Sequence, residues 1–174
     1  MKKSFSVPNF LSAAALLAAL AAALQLAACD NSLDHGSDGG YKSDACEHMA
    51  KGPAEPVTAQ SGREDSLPDV SGAHTRYDIA LPDVAGAREG FVAFQADESA
   101  DFHFALGTDA TLGITDSAGV AVDPEGAADS SSGCPEVKVL HTYGLDAGRY
   151  VLHLASGFET SVSLVVVEGG EHGH

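Results

Sequence analysis

From His74 onward the chain alternates apolar and polar positions with a period of two. Tyr77, Ile79 and Leu81 are separated by Asp78 and Ala80. Phe102, Phe104 and Leu106 are separated by His103 and Ala105, and Tyr150, Leu152 and Leu154 by Val151 and His153. Further short runs carry Phe91, Val92 and Phe94, then Leu112 and Ile114, then Val120 and Val122. Val137, Val139 and Tyr143 alternate with Lys138, Leu140 and Thr142, and Val162, Leu164 and Val166 close the series. Successive strand side chains point to opposite faces, so each run presents one apolar row to a core. Gly, Asp and Pro punctuate the runs, as in Asp116-Ser117-Ala118-Gly119. Seven or eight short strands at this spacing predict an all-β fold, a single antiparallel β-sandwich of Ig-like or jelly-roll type over residues 74–168. The stretch suffices for one core but not two domains.

The pattern before His74 differs. Residues 30–43 are mainly Gly, Asp and Ser, with little apolar surface to offset the entropy of ordering them. Residues 29–73 therefore read as a mostly flexible tether with an ordered island. Cys46 to Pro53 predicts a short helical turn ended by Gly52-Pro53, and Val57 to Gln60 one short strand.

The first 28 residues read as a processing signal. Lys2 and Lys3 precede an Ala- and Leu-rich run from Phe10 to Ala28. A membrane-spanning helix is the alternative, at marginal length. The run stops at Leu26-Ala27-Ala28-Cys29 and enters an acidic, Gly-rich stretch without a basic flank. Those four residues resemble the lipobox of bacterial lipoproteins. The resemblance implies cleavage before Cys29, acylation of that cysteine and attachment to a bacterial membrane through a lipid anchor. The expected location is the cell envelope, on a periplasmic or surface face. Asp30 resembles the inner-membrane retention signal of enteric bacteria, a rule that does not extend to all phyla, so the leaflet stays open.

A second resemblance covers roughly Phe91 to Val167. Two Phe-rich strands flank an acidic turn, followed by Leu112-x-Ile114-x-Asp116-x-x-Gly119, a long loop, and Leu145-Asp-Ala-Gly-Arg-Tyr150-Val-Leu-His-Leu154. This is similar to bacterial pre-peptidase C-terminal domains and related Ig-like modules. It implies a non-catalytic accessory or binding module, although no peptidase is attached.

Charge narrows the partners. Two of the nine basic residues lie in the signal, so the processed chain carries seven against 25 acidic residues, a net charge of −18. Nucleic acid and anionic head groups repel such a chain, whereas cations and basic partners are attracted. With Cys29 acylated, Cys46 and Cys134 remain as an even pair in an oxidising compartment, and a disulfide between them is expected.

Candidate chemistry centres on histidine. All eight lie after Cys29, and neutral imidazole is the commonest metal ligand. The tail, residues 169–174, ends in Glu171-His172-Gly173-His174, suited to Cu, Zn or Ni. His48 and Met49, beside Cys46, suit copper. Alternation sets His103 and His153 off the core face. Were strands 100–106 and 149–155 neighbours, those two would converge with the tail and Asp101. His141 shares a face with Tyr143 and reads as a core-edge histidine. Asp116, Asp123, Glu125 and Asp129 form a weaker, calcium-like set in loops.

No nucleophile elbow, zinc-protease helix, phosphate loop or dinucleotide fingerprint occurs. Ser130-Ser131-Ser132-Gly133 sits in a Gly- and Asp-rich loop without a local base. The expectation is a non-catalytic, envelope-anchored lipoprotein acting as a binding module for an unidentified protein or glycan. The alternative is transition-metal binding through His172, His174, His103, His153 and His48. The few aromatics fall mostly on core faces, which disfavours sugar stacking.

Overall fold

The computed structural model describes residues 40–63, 66–129 and 134–169. Cys29, the signal segment, Ser130–Gly133, His172 and His174 lie outside the described residues. Helix α1 (Gly40–Lys51) precedes β1 (Ala54–Thr58), β2 (Arg76–Ala80), β3 (Asp83–Val84), β4 (Ala87–Ala96) and β5 (Ala100–Leu106). Then come β6 (Thr111–Thr115), β7 (Ala121–Val122), β8 (Gly126–Asp129), β9 (Val139–Leu145), β10 (Gly148–Ser156) and β11 (Ser161–Glu168).

These strands form two packed sheets, in the orders β1-β2-β11-β5-β9-β8 and β3-β4-β10-β6-β7. The expected all-β sandwich is what the chain adopts. Strand pairs are antiparallel except β1 with β2, which run parallel. Pro56 is tolerated in β1 because that strand pairs only on its β2 side. The rows read from the sequence fill the space between the sheets: Tyr77 and Ile79, Val92 and Phe94, Phe102, Phe104 and Leu106, Leu152 and Leu154, Val162 and Leu164. Phe94 meets Phe102 and Phe104 edge-on, at 5.2 and 5.3 Å between centroids. The Asp116–Gly119 turn forms as expected, with Gly119 at φ +81° and Asp116 Oδ1 accepting from the Ala118 and Val120 amides. That carboxylate serves the hairpin, which takes Asp116 out of the calcium-like set. In β9, Tyr143 and Leu145 enter the main core, whereas Leu140, with Val137 just before the strand, belongs to a second cluster on the other side of the sheet, so the expected row of Val137 with Tyr143 does not form.

That second cluster overturns the tether reading for residues 40–73. The outer face of the six-stranded sheet is apolar at Ala105, Leu140, Val165 and Val167, and α1 covers it with Ala45 and Met49. Tyr41 and Cys46 pack alongside. Positions 41, 45 and 49 recur every fourth residue, so they form one stripe on the helix. Gly52 and Pro53 end it: the Gly52 amide donates to the His48 carbonyl at 2.9 Å, and a Cβ at Gly52 would fall 2.5 Å from that oxygen.

The segment after β1 then crosses from one sheet to the other. The Ala59 amide donates to the Ala80 carbonyl, Gln60 and Phe91 exchange backbone hydrogen bonds, and the Val70 amide donates to the Ala93 carbonyl. Ala59 and Val70 end in the main core, and Leu67 is buried. Few in number, the apolar residues Ala59, Leu67 and Val70 of this polar stretch are all buried. Among the described residues, the folded unit thus begins at Gly40, well before His74.

Candidate metal centre

Helix α1 presents Asp44 and His48 one turn apart on the same face. The His48 Nε2 atom is 3.0 Å from Asp44 Oδ1. A third group arrives from the strand that follows. The Arg76 amide donates to the Pro53 carbonyl at 3.0 Å, and Arg76 Nη1 donates to the Met49 carbonyl at 3.1 Å. These two bonds fasten the start of β2 to the end of the helix. The Tyr77 hydroxyl accepts from the Gly72 amide at 2.7 Å and fixes the approach to β2. Between these restraints His74 takes a left-handed conformation, φ +58°. Such a φ is uncommon for a residue with a side chain, although His tolerates it better than most. Its effect is to set His74 Nδ1 2.7 Å from His48 Nε2 and 3.9 Å from Asp44 Oδ2.

One donor atom from each of Asp44, His48 and His74 thus lies within 4.8 Å of the other two. The proton bookkeeping of this cluster is awkward. If His74 Nδ1–H donates to His48 Nε2, the lone pair of that nitrogen is spent and Asp44 faces no donor. If His48 Nε2–H donates to Asp44, His74 Nδ1 is left as a second acceptor on the same hydrogen. A divalent cation among the three meets all three lone pairs at once. Zinc bonds to nitrogen and oxygen of about 2.0–2.2 Å at tetrahedral angles hold donors about 3.3–3.6 Å apart. The His48–His74 separation of 2.7 Å and the approaches of Asp44, Oδ1 to His48 at 3.0 Å and Oδ2 to His74 at 3.9 Å, lie on either side of that spacing. The His74 side chain is 67 % exposed, so one side of the cluster opens to solvent.

The other expected ligands that lie among the described residues are dispersed. His103 does sit on the outer face of its sheet, but α1 covers that face and leaves the residue 5 % exposed. Its ring stacks on Tyr41, centroids 3.6 Å apart, and Nδ1 lies 3.0 Å from Thr142 Oγ1. His153 lies on the opposite sheet, with Nε2 3.3 Å from Glu89 Oε2 and its ring stacked on Phe91 at 4.6 Å. Since β5 and β10 belong to different sheets, His103 and His153 do not converge. His141 is the expected core-edge histidine beside Tyr143. Neither of its ring nitrogens has a hydrogen-bond partner among the described residues, and burial lowers its pKa below the usual histidine value.

The expected disulfide forms between Cys46 and Cys134, with Cα atoms 5.7 Å apart. It takes Cys46 out of the copper-type set with His48 and Met49, and Met49 turns its side chain into the cluster under the helix. Among the described residues, His48 is the one predicted ligand found in the cluster. Asp44 and His74 were missed. Asp44 stands four residues before His48, a spacing that acquires meaning only if the segment is helical. Nothing local to His74 marks it, because its approach depends on the docking of β2 beside the helix end. Compared by sequence, the chain matches no protein-family model and no curated protein.

Proposed function

We propose that this chain is a non-catalytic binding module, anchored to the bacterial envelope through lipid on Cys29, whose ligand is a divalent transition-metal cation. Asp44, His48 and His74 are the ligands. The observation that carries this reading is the convergence of two imidazoles and a carboxylate from segments 26 residues apart, with one of them held at positive φ. The nitrogen and oxygen donors suit Zn²⁺, Ni²⁺ or Cu²⁺. Three protein ligands and an exposed side leave room for water or an exchanging partner, which fits capture and release better than permanent structural binding. The acidic surface raises the local concentration of cations. The anchor rests on the Leu26-Ala27-Ala28-Cys29 motif and the signal-like run before it.

Calorimetric titration with Zn²⁺, Ni²⁺ and Cu²⁺ tests the reading. One equivalent is expected to bind in the roughly micromolar range or tighter, about −8 kcal/mol. Binding should survive truncation after Gly170, which removes His172 and His174, and should disappear in His48→Ala and His74→Ala. Binding lost on truncation but retained in both alanine variants would refute the site.

A second reading, recognition of a protein or glycan, has one specific support. On the outer face of the five-stranded sheet, Phe91 stacks with His153, and the Arg63 guanidinium lies 5.4 Å from the Phe91 ring centre. Planar groups so assembled suit a sugar face or a peptide side chain. Loss of binding to a candidate glycan in Phe91→Ala, with metal affinity unchanged, would favour it.

A further inference from the structure

The surroundings of the disulfide hold more than a crosslink. Cys46 lies between Asp44 and His48 in sequence, but each helical residue turns by about 100°, so its side chain leaves the helix on another flank. There it meets Cys134, which opens a tight turn closed by the Val137 amide donating to the Cys134 carbonyl at 3.2 Å. The turn carries Glu136, whose Oε2 is 4.0 Å from Cys134 Sγ. The two sulfurs and a Glu136 carboxylate oxygen all lie within 4.8 Å of one another.

We propose that reduction of this disulfide by a dithiol creates a second metal site, formed by Cys46, Cys134 and Glu136 and selective for a thiophilic cation such as Zn²⁺ or Cu⁺. Reduction breaks the S–S bond, adds two electrons and two protons, and converts the dithiol to its own disulfide. The cation then displaces the two thiol protons and binds both thiolates and the carboxylate. Oxidation by a disulfide oxidant re-forms the S–S bond, reduces the oxidant to a dithiol and expels the cation. The site is therefore closed in the oxidised protein and open in the reduced one.

Two features favour this over simple release of the helix. Docking of α1 does not depend on the bridge alone: Ala45 and Met49 are buried under it, Tyr41 stacks on His103, and Arg76 holds the Met49 carbonyl. The cysteines therefore stay together when the bond is cut. Zn–S bonds of about 2.3 Å at a tetrahedral angle set two thiolates about 3.8 Å apart. Side-chain rotation supplies that spread from Cα atoms 5.7 Å apart. The carboxylate completes an S₂O set on the exposed side, leaving one position for water. No ligand is shared with the Asp44–His48–His74 cluster, so either site stands or falls without the other.

The test uses the full chain carrying both His48→Ala and His74→Ala, purified in detergent. The protein is reduced with a phosphine, freed of reductant under nitrogen and titrated with Co²⁺ as a spectroscopic stand-in for zinc. One equivalent should bind with a thiolate-to-cobalt charge-transfer band, absent from the oxidised protein and from Cys46→Ser. Glu136→Gln should weaken binding by roughly tenfold or more, since even outer-shell partners of a metal contribute about 10–100-fold. Adding oxidised glutathione should abolish the band. The proposal is overturned by a reduced protein that is unfolded by circular dichroism, by a folded one that gives no band, or by Glu136→Gln binding as tightly as its parent.

Discussion

Met49→Ala separates a docked helix from a tether. Met49 is 4 % exposed and sits under α1 with Ala45, Ala105, Val165 and Val167. Truncation to alanine removes the Cγ, Sδ and Cε atoms. At about 0.8 kcal/mol for each buried methylene-sized group, the transfer loss is about 2.4 kcal/mol. The cavity left in the floor of the helix adds to that, within the usual range of about 2–5 kcal/mol for such truncations. Urea unfolding of the oxidised protein, followed by far-ultraviolet circular dichroism, reads the change. With a slope of about 1–3 kcal/mol per molar, the midpoint should fall by roughly 1–2 M at unchanged slope. A segment that is only a tether would give almost no change. A loss under about 0.5 kcal/mol, typical of neutral surface substitutions, would refute the docking of α1 and with it the arrangement that brings His48 to His74.

Other consequences can be checked the same way. Reduction of the Cys46–Cys134 bridge, which spans 88 residues, should lower stability by about 4–5 kcal/mol in the chain-entropy model, read as a lower urea midpoint with retained fold. Gly52→Ala forces a Cβ against the His48 carbonyl, so it should cost roughly 1–3 kcal/mol as an overpacking change and weaken metal binding through His48. Burial lowers the pKa of His141, so the unfolded chain takes up this proton first as pH falls. Its contribution is therefore fully present above the unfolded value of about 6.5 and is lost as pH drops from there toward the folded value. His141→Leu should lose less stability than the parent between pH 7 and 5, and an identical acid limb in the two proteins would remove His141 from the account. Partial desolvation and the neighbouring Glu98 and Asp97 raise the Glu168 pKa, so the parent loses stability as pH rises above the unfolded carboxyl value, and the gain in urea midpoint of Glu168→Gln over its parent should be larger at pH 7 than at pH 4.

The candidate site was half legible. Asp44 and His48 at i and i+4 are visible in the sequence, but the segment around them lacks the apolar content of an evident helix. The clue to that helix lay in its partner: Leu164-Val165-Val166-Val167 is an unbroken apolar run, and all four residues are buried. A strand buried on both faces reads this way, and something must cover the second face. The cover turned out to be α1. His103 illustrates the same point in reverse. Alternation assigned it correctly to the outer face, yet that face is interior because a helix lies on it.

Local pattern alone determined the sandwich, most of its core rows and the Asp116–Gly119 turn. Period-two alternation and turn chemistry act between near neighbours, so they can be read along the chain. The order of the strands, the parallel pairing of β1 with β2, the burial of Tyr41, Ala45 and Met49, and the approach of His74 to His48 were decided only by the tertiary structure. Each of these depends on surfaces that exist once the sheets have formed, and a short polar segment gains its order from the apolar face it covers rather than from its own composition.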